Sequence, residues 1–496
     1  MPTLTIVRGP KTAAHAFAGT PTLAEALSDA GFAVDQPCGG RGTCRKCAVT
    51  EVRGELSAPT QAETEAGQRL ACQARLLGNC TVTLPAEINW VLIETQGAQA
   101  TPGLPMAGRY GAAVDLGTTT IGARVYELAT GRLLAESALV NPQTAVAADV
   151  MGRISAALAG GLEKLSAMAR GAIARCVAQA CATADIPCVE AMTVAGNTVM
   201  LTLLTGRNPR SLASAPFVAD ELFGGEWPEP LAGARLYLPP CAGAFMGADI
   251  TCAALSTGLC EQPDTVLLAD IGTNGELMLW HRGALYAAST AAGPAFEGGE
   301  ISQGCGSVRG AIDKVWVEQG GLGAHVLGGG EATGLCGSGL LDAVAALLSL
   351  GRLDSTGASD APAFALRDGI SLSAGDIRAL QLAKAAVAAG IETLLVAAGA
   401  LPSDVKRLDL AGGFGSRLNV ASAVAVGLIP AALAGRAHAV GNASLAGAAA
   451  LLLDTRLRPK AEWIARTAQI VQLGGDAGFE RRFLAAMTFP WAEETL

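Results

Sequence analysis

The sequence predicts two unlike parts in one chain: a small α+β domain over residues 1–95, then an α/β domain over 110–496 carrying an internal duplication. Three observations predict this. Three of the thirteen cysteines fall inside one Gly-rich stretch, "CGGRGTCRKC", at Cys38, Cys44 and Cys47. Residues 96–109, "QGAQATPGLPMAGR", are small, nearly uncharged and broken by Pro and Gly, so they read as a linker. Beyond them a strand–Asp-x-Gly-Thr–strand unit occurs twice, at Asp115 and Asp270, 155 residues apart. The second copy divides the larger part into subdomains of about 110–262 and 263–455, with a C-terminal extension.

Composition bounds what such a chain does. At 496 residues with half of them apolar, it buries a large core and is not disordered. Aromatics are only 4% and glycines number 62, which suits close packing of backbone against backbone. The apolar stretches at 386–401 and 445–453 are short or interrupted by Gly or Glu, so no membrane span is expected. "MPTLTIVRGPK" lacks the apolar run of a signal peptide, and a cytoplasmic setting follows. There thiols stay reduced, which disfavours a disulfide framework. Cys176, Cys181, Cys188, Cys241, Cys252 and Cys260 read as small core residues. The net charge of −9 argues against nucleic acid as a general partner. Arg41, Arg45 and Lys46 cluster beside the cysteines and read first as a solvated loop, second as a surface for an acidic partner.

In the N-terminal part, "TLTIVRG" alternates like a strand. "TLAEALSDAGF" reads as a helix with Thr22 as N-cap and Glu25 three residues on. "KCAVTEVRGEL" and "CTVTLP" are strand-like. The cysteines run Cys38-x5-Cys44-x2-Cys47, then Cys72 alone in "RLACQAR". A zinc ribbon would pair two Cys-x2-Cys knuckles, and here one arm is a single thiol, though zinc stays the alternative. Four thiolates around bridged irons carry net negative charge. The loop must then aim backbone N–H groups at sulfur, for which Gly39, Gly40 and Gly42 permit the turns. The order of elements and the spacing resemble a β-grasp ferredoxin over about residues 1–90, of the adrenodoxin-type variant. The resemblance implies a [2Fe–2S] cluster held by Cys38, Cys44, Cys47 and Cys72, with Cys80 structural.

The two Asp units sit in "YGAAVDLGTTTIGARVYEL" and "TVLLADIGTNGELMLW". A tight hairpin brings backbone N–H groups to phosphate oxygens, Thr hydroxyls add donors, and an Asp at the strand end holds Mg²⁺ through water. Two such hairpins across a cleft grip a polyphosphate from both sides. A third element, "VKRLDLAGGFGSRLN", runs a strand into glycines that let backbone lie against a ring or ribose. No Walker A sequence occurs. In this order the three elements resemble the actin/sugar-kinase/Hsp70 superfamily, which implies ATP and Mg²⁺. Carried over onto this chain, Asp115 and Asp270 position Mg²⁺. Gly117, Thr118, Thr119, Gly272, Thr273 and Asn274 hold phosphates, and Gly412, Gly413 and Gly415 seat the nucleoside. Asp115, Asp270 and Glu276 are the catalytic candidates. Gly337, in "GLCGSGLLDAVAAL", opens a helix that serves either as a nucleotide contact or as a packing turn. Cys336 beside it has no histidine near in sequence and reads as a core thiol.

Together with "NPQTAVAADVMGRI", "GNTVM", "APF", "STAAGPAFEG", "GLCGSGLLD" and "DIRALQLAKAAVAAGI", the two parts resemble the reductive activators of corrinoid proteins across nearly the whole chain. The resemblance implies an ATP-dependent enzyme returning Co(II) corrinoid to Co(I), with one electron passed from the [2Fe–2S] cluster. The implied partners are an upstream electron donor and a corrinoid protein, either a methyltransferase corrinoid module or a methionine synthase. A homodimer is allowed, and no nucleic acid or membrane is expected. The sequence departs from the family pattern in "GNTVMLTLL", where histidines often follow, and in "QGCGSVRGAI", where Cys305 and Gly306 replace a Met-Arg. The extra domain some relatives carry before the first phosphate strand is expected to be absent or reduced. Rival readings are a small-molecule kinase fused to a ferredoxin, an electron carrier whose ATP site is a sensor, and an activator of a radical dehydratase. The last is disfavoured because those relatives bridge subunits with a [4Fe–4S] cluster.

Overall fold

A computed structural model describes residues 1–8, 11–32, 34, 36, 40, 42, 45–49, 51–84, 102–359, 361–415 and 417–490. Cys38, Cys44 and Ser416 lie outside the described residues.

The N-terminal sheet has four strands. Thr3–Arg8 pairs antiparallel with Lys11–Ala16 and parallel with Leu76–Thr83, which pairs in turn with Glu51–Leu56. The period-2 alternation of "TLTIVR" puts Leu4 and Ile6 on the inner face, where both are fully buried. The helix Leu23–Asp29 begins where the sequence places it. Thr22 Oγ1 accepts from the Glu25 amide at 3.2 Å, and Glu25 Oε2 accepts from the Thr22 amide at 2.8 Å. Its inner side buries Leu23, Ala24, Ala26 and Leu27 against the sheet. This is the expected β-grasp arrangement.

The larger part contains two six-stranded sheets of matching design. In the first, Tyr110–Leu116 pairs antiparallel with Thr120–Glu127, which pairs with Arg132–Val140. In the second, Thr265–Ile271, Gly275–His281 and Ala284–Thr290 repeat that meander. On its other edge each leading strand takes a parallel neighbour, Ala191–Gly196 in one and Val405–Ala411 in the other. The parallel registers agree closely: Asp115 faces Ala195 and Asp270 faces Ala411. So "VAGN", ending at Asn197, and "LAGG", ending at Gly413, are equivalent turns, a second level of the repeat that the Asp units alone do not reveal. The central strands are buried on both faces and read as continuous apolar runs rather than alternations.

Two helices join the halves. Ala248–Ser256 and Ala443–Leu453 pack closely on each other, and the second lies on Tyr110–Leu116 and Ala191–Gly196 of the first sheet. One core cluster accordingly mixes Ala113 and Ala195 with Val266, Leu268 and Met278. The stretch expected as a linker is not uniformly free. Gly103 and Met106 donate to the carbonyls of Leu453 and Leu452 at 3.1 and 2.9 Å, and Met106 is buried. Residues 102–109 are therefore anchored to the end of that joining helix, while 96–101 lie outside the described residues.

The helix Ala374–Ala398, at 25 residues and mean hydropathy 1.5, has the length and composition to cross a membrane, which the sequence reading did not anticipate. Its most apolar window is 72% buried inside the fold, where it packs on the second meander, so it is a core helix. The residues after 455 return to the second sheet. Gln469–Ile470 pairs with Ala284–Thr290, and Ala477–Ala486 packs on Ala374–Ala398.

Candidate nucleotide cleft and cluster loop

The two Asp hairpins open onto one cavity of 250 Å³, and both turns, 117–120 and 272–274, line it. In the first turn, every carbonyl from 117 to 119 is held from behind. Asn141 Nδ2 donates to Gly117 O at 2.9 Å, its amide donates to Thr119 O at 2.8 Å, and Arg153 Nη2 donates to Thr118 O at 2.6 Å. A turn whose carbonyls are engaged on one side offers its other edge to the cleft. Gly117 is required for tightness, since a Cβ there would meet Thr120 O at 2.4 Å.

Arg153 is fully buried. Its other donors reach Ala147 O at 3.0 Å, Gln143 Oε1 at 3.2 Å and Met200 Sδ at 3.1 Å. Burial pulls its pKa down to about 9, with Asp149 and Glu297 acting the other way. Neither Asn141 nor Arg153 was singled out from the sequence. The signal available was an Asn-Pro pair and an Arg inside an otherwise small and apolar stretch.

Asp115 and Asp270 stand at matching strand ends, with Asp249 and Glu276 lining the same cavity. Burial is the main cause that raises each acid. Asp270 is pushed up to about 8 and Asp249 to about 7, and Glu276 well above its ordinary value, each raised further by neighbouring carboxylates. Asp115 is raised as well, against hydrogen bonds from Asn442 Nδ2 at 2.8 Å and Ser444 Oγ at 2.9 Å. Such a set calls for a cation. Among the described residues no three acidic, Cys or His side chains converge closely enough to ligate one ion. Buried carboxylate oxygens are the donor type that a hard divalent cation takes. Asp249, Asn197, Asn442 and Ser444 join the site only through folding, being scattered over 247 positions from Asn197 to Ser444.

Glu297, from "GPAFEG", ties the two hairpins together. Its Oε2 accepts from Thr119 Oγ1 and from Thr273 Oγ1, each at 2.6 Å, and its Oε1 accepts from the Thr273 amide at 3.2 Å. Beside it, Phe296 stacks on Phe414 with ring centroids 4.3 Å apart. Phe414 belongs to the third glycine turn, where Gly412 and Gly413 also line the cavity. Gly412 has φ +85°, and a Cβ would lie 2.5 Å from Asp270 Oδ1, so only glycine fits. Two expected nucleotide contacts are not among the residues lining the cavity. Gly415 packs on Leu410, and Gly337 gives room to the Phe296 carbonyl, which a Cβ would meet at 2.0 Å. The Phe296 carbonyl accounts for a glycine at 337, and Cys336 is a buried thiol.

In the small domain, the ladder Ala48–Val49 with Arg69–Leu70 brings Cys47 and Cys72 to one place. Both are buried, and the Ala71 amide donates to Cys47 O at 2.9 Å. Gln73 Nε2 donates to Gly40 O at 2.6 Å, tucking the loop beside Cys72. Gly40, Gly42 and Arg45 all have positive φ, the bending that a loop wrapped round a cluster needs. Two thiols brought together under a loop of left-handed residues fit a cluster supplied with two more from Cys38 and Cys44. No described cysteine is in a disulfide.

Three family models match the chain. Residues 6–77 match the 2Fe-2S iron-sulfur cluster binding domain, 110–262 the RACo middle region, and 264–496 the C-terminal domain of RACo, the ASKHA domain. The corrinoid activation enzyme RamQ of Eubacterium limosum is 32% identical, over 77% of this chain and 70% of that protein. The chain belongs to the RACo family of corrinoid reductive activators. A second relative is a [Co(II) methylated amine-specific corrinoid protein] reductase of Methanosarcina barkeri. It is 28% identical over 70% of each chain. Among solved structures, a reductive activator for a corrinoid, iron-sulfur protein superposes with a TM-score of 0.72 at 25% identity, covering 98% of both chains. The β-grasp and actin-like classes expected from the sequence are those of the RACo architecture. Of the departures noted in the sequence, Gly306 lies on the rim of the cleft with Ser307, and Cys305 packs behind it with Cys336.

Proposed function

We propose that this enzyme uses ATP to return an inactive Co(II) corrinoid, carried by a partner protein, to Co(I). The observation that carries the reading is the pair of Asp hairpins facing one cavity, in a RACo-family chain that also bears the cysteine loop. Thr118, Thr119, Gly272, Thr273 and Asn274 offer donors to phosphates. Asp115 and Asp270 hold Mg²⁺ through water, and Gly412 and Gly413 give the nucleoside a flat seat. Glu276 and Asp270 both line the cavity beside the hairpin turns and are the groups placed to accept a proton from water. A [2Fe–2S] cluster at Cys38, Cys44, Cys47 and Cys72 supplies one electron at a time when bound.

The energetic need for ATP follows from the redox gap. Plant-type clusters lie near about −400 mV. An acceptor couple below that is reduced only if binding favours the reducible state, at about 59 mV for each tenfold bias. A nucleotide gripped from both sides draws the two halves, joined by Ala248–Ser256 and Ala443–Leu453, toward each other, and that movement is how ATP supplies the bias. The partner is a corrinoid methyltransferase module or a methionine synthase, and a separate donor reloads the chain.

The test is anaerobic. The reconstituted, reduced protein is mixed with a Co(II) corrinoid protein, and the visible spectrum is followed with and without Mg-ATP. Co(I), or methyl-Co(III) when a methyl donor is present, should appear only with ATP. Co(II) left unchanged in several corrinoid proteins, despite a reduced cluster, would return the chain to the kinase or sensor readings.

A further inference from the structure

The donors that a phosphate needs are already aimed at one point, and a side chain of the protein stands there. Thr119 and Thr273 come from opposite halves of the chain, yet their hydroxyl oxygens are 3.4 Å apart. Both donate to the same oxygen of Glu297, and the Thr273 amide donates to the other. Each hydroxyl has one proton to give. A phosphate oxygen and the Glu297 carboxylate therefore cannot use these donors together, and two anions at that range repel. Glu297 stands on a turn and not within a strand or long helix. It ends a short turn, Pro294–Glu297, bracketed by Gly293 and Gly298, both in the left-handed region at φ +79° and +78°. The preceding residue, Phe296, stacks on Phe414 of the glycine turn.

We propose that Glu297 is a clasp that competes with a nucleotide phosphate for Thr119 and Thr273. Binding of the polyphosphate displaces the carboxylate and swaps the link between the two halves from protein–protein to protein–phosphate. This inference rests on the ATP reading above. It assigns a role to a residue that neither the Asp-hairpin pattern nor the glycine turn points to. A residue that merely braced the cleft would weaken nucleotide binding when removed. A competitor strengthens it.

The experiment is calorimetric titration of the full chain with Mg-ATP and with AMP, comparing wild type, Glu297→Gln and Glu297→Ala. Gln keeps the size of the side chain, so the fold is preserved if Ala is not tolerated. The expected result is about tenfold tighter Mg-ATP in both variants, about 1.4 kcal/mol, with AMP changed less than about twofold. Mg-ATP affinity unchanged or weaker in both variants, or AMP tightened as much as ATP, overturns the clasp while leaving wild-type ATP binding intact. No ATP binding by any of the three proteins overturns the nucleotide reading and the clasp with it. Binding by the variants alone supports the clasp in its strongest form.

Discussion

Arg153 shows how much one side chain contributes unseen. A guanidinium offers five N–H donors in a fixed fork, and here it uses them on two carbonyls, a side-chain amide and a thioether. A lysine has the charge but not the fork. We expect Arg153→Lys to lose about 2–4 kcal/mol in chemical denaturation, from unmade hydrogen bonds to buried acceptors. The Thr118 carbonyl it releases is part of the phosphate turn. ATP affinity of the folded variant should therefore fall about tenfold, a loss that a purely structural role would not produce in titrations of folded protein. The sequence showed an Arg in "DVMGRI" but not which way it points. By contrast Thr22 and Glu25 were legible, because a capping box is a contact between residues three apart.

At the scale of elements, the crossing of Ala248–Ser256 with Ala443–Leu453 depends on a missing side chain. A Cβ on Gly447 would lie 2.0 Å from the Cys252 carbonyl oxygen, which is backbone and cannot swing away. In an open helix, Gly to Ala stabilises by about 1 kcal/mol. Here overpacking opposes that with about 1–3 kcal/mol and should win. Gly447→Ala is expected to lower the unfolding free energy, measured by urea titration, and a stabilised variant would show that the crossing has slack. Strand identities were readable, since apolar runs bounded by Asp-x-Gly-Thr turns leave few choices. The anchoring of residues 102–109 was not readable. Pro and Gly in "TPGLPMAG" describe a chain that turns, and Met106 alone hints that it is also buried.

At the scale of the molecule, the cavity gathers carboxylates from both halves, and their repulsion is a property of the fold. Asp270 and Asp249 carry native pKa values of about 8 and about 7 against an ordinary 3.8. Between those limits the native state binds more protons than the unfolded chain, so unfolding free energy falls as pH rises. Without added nucleotide, the melting temperature should fall from about pH 5 to about pH 8, where both acids must ionise together. Mg-ATP should restore most of the loss at the upper pH by stabilising the charged forms. Asp270→Asn should flatten the slope. A melting temperature that is constant or rises over that range would count against the buried acid set.

The sequence by itself determined the parts. Thiol spacing, hairpin turns and glycine turns are local patterns, because a tight turn or a cluster loop imposes its residue types within a few positions. From those patterns followed the two fold classes, the family and the residues Asp115, Asp270 and Glu276 of the cleft. Only the tertiary structure decided which distant residues complete it. Glu297 meets Thr119 because two sheets of matching register face one another, and Asn442 reaches Asp115 because a helix of the second half lies on the first. The same packing sets the Phe296 carbonyl against Gly337 and the Leu410 backbone against Gly415. A glycine looks alike in sequence whether its absent Cβ makes room for a phosphate or for a neighbouring backbone. Only the position of that neighbour tells the two apart.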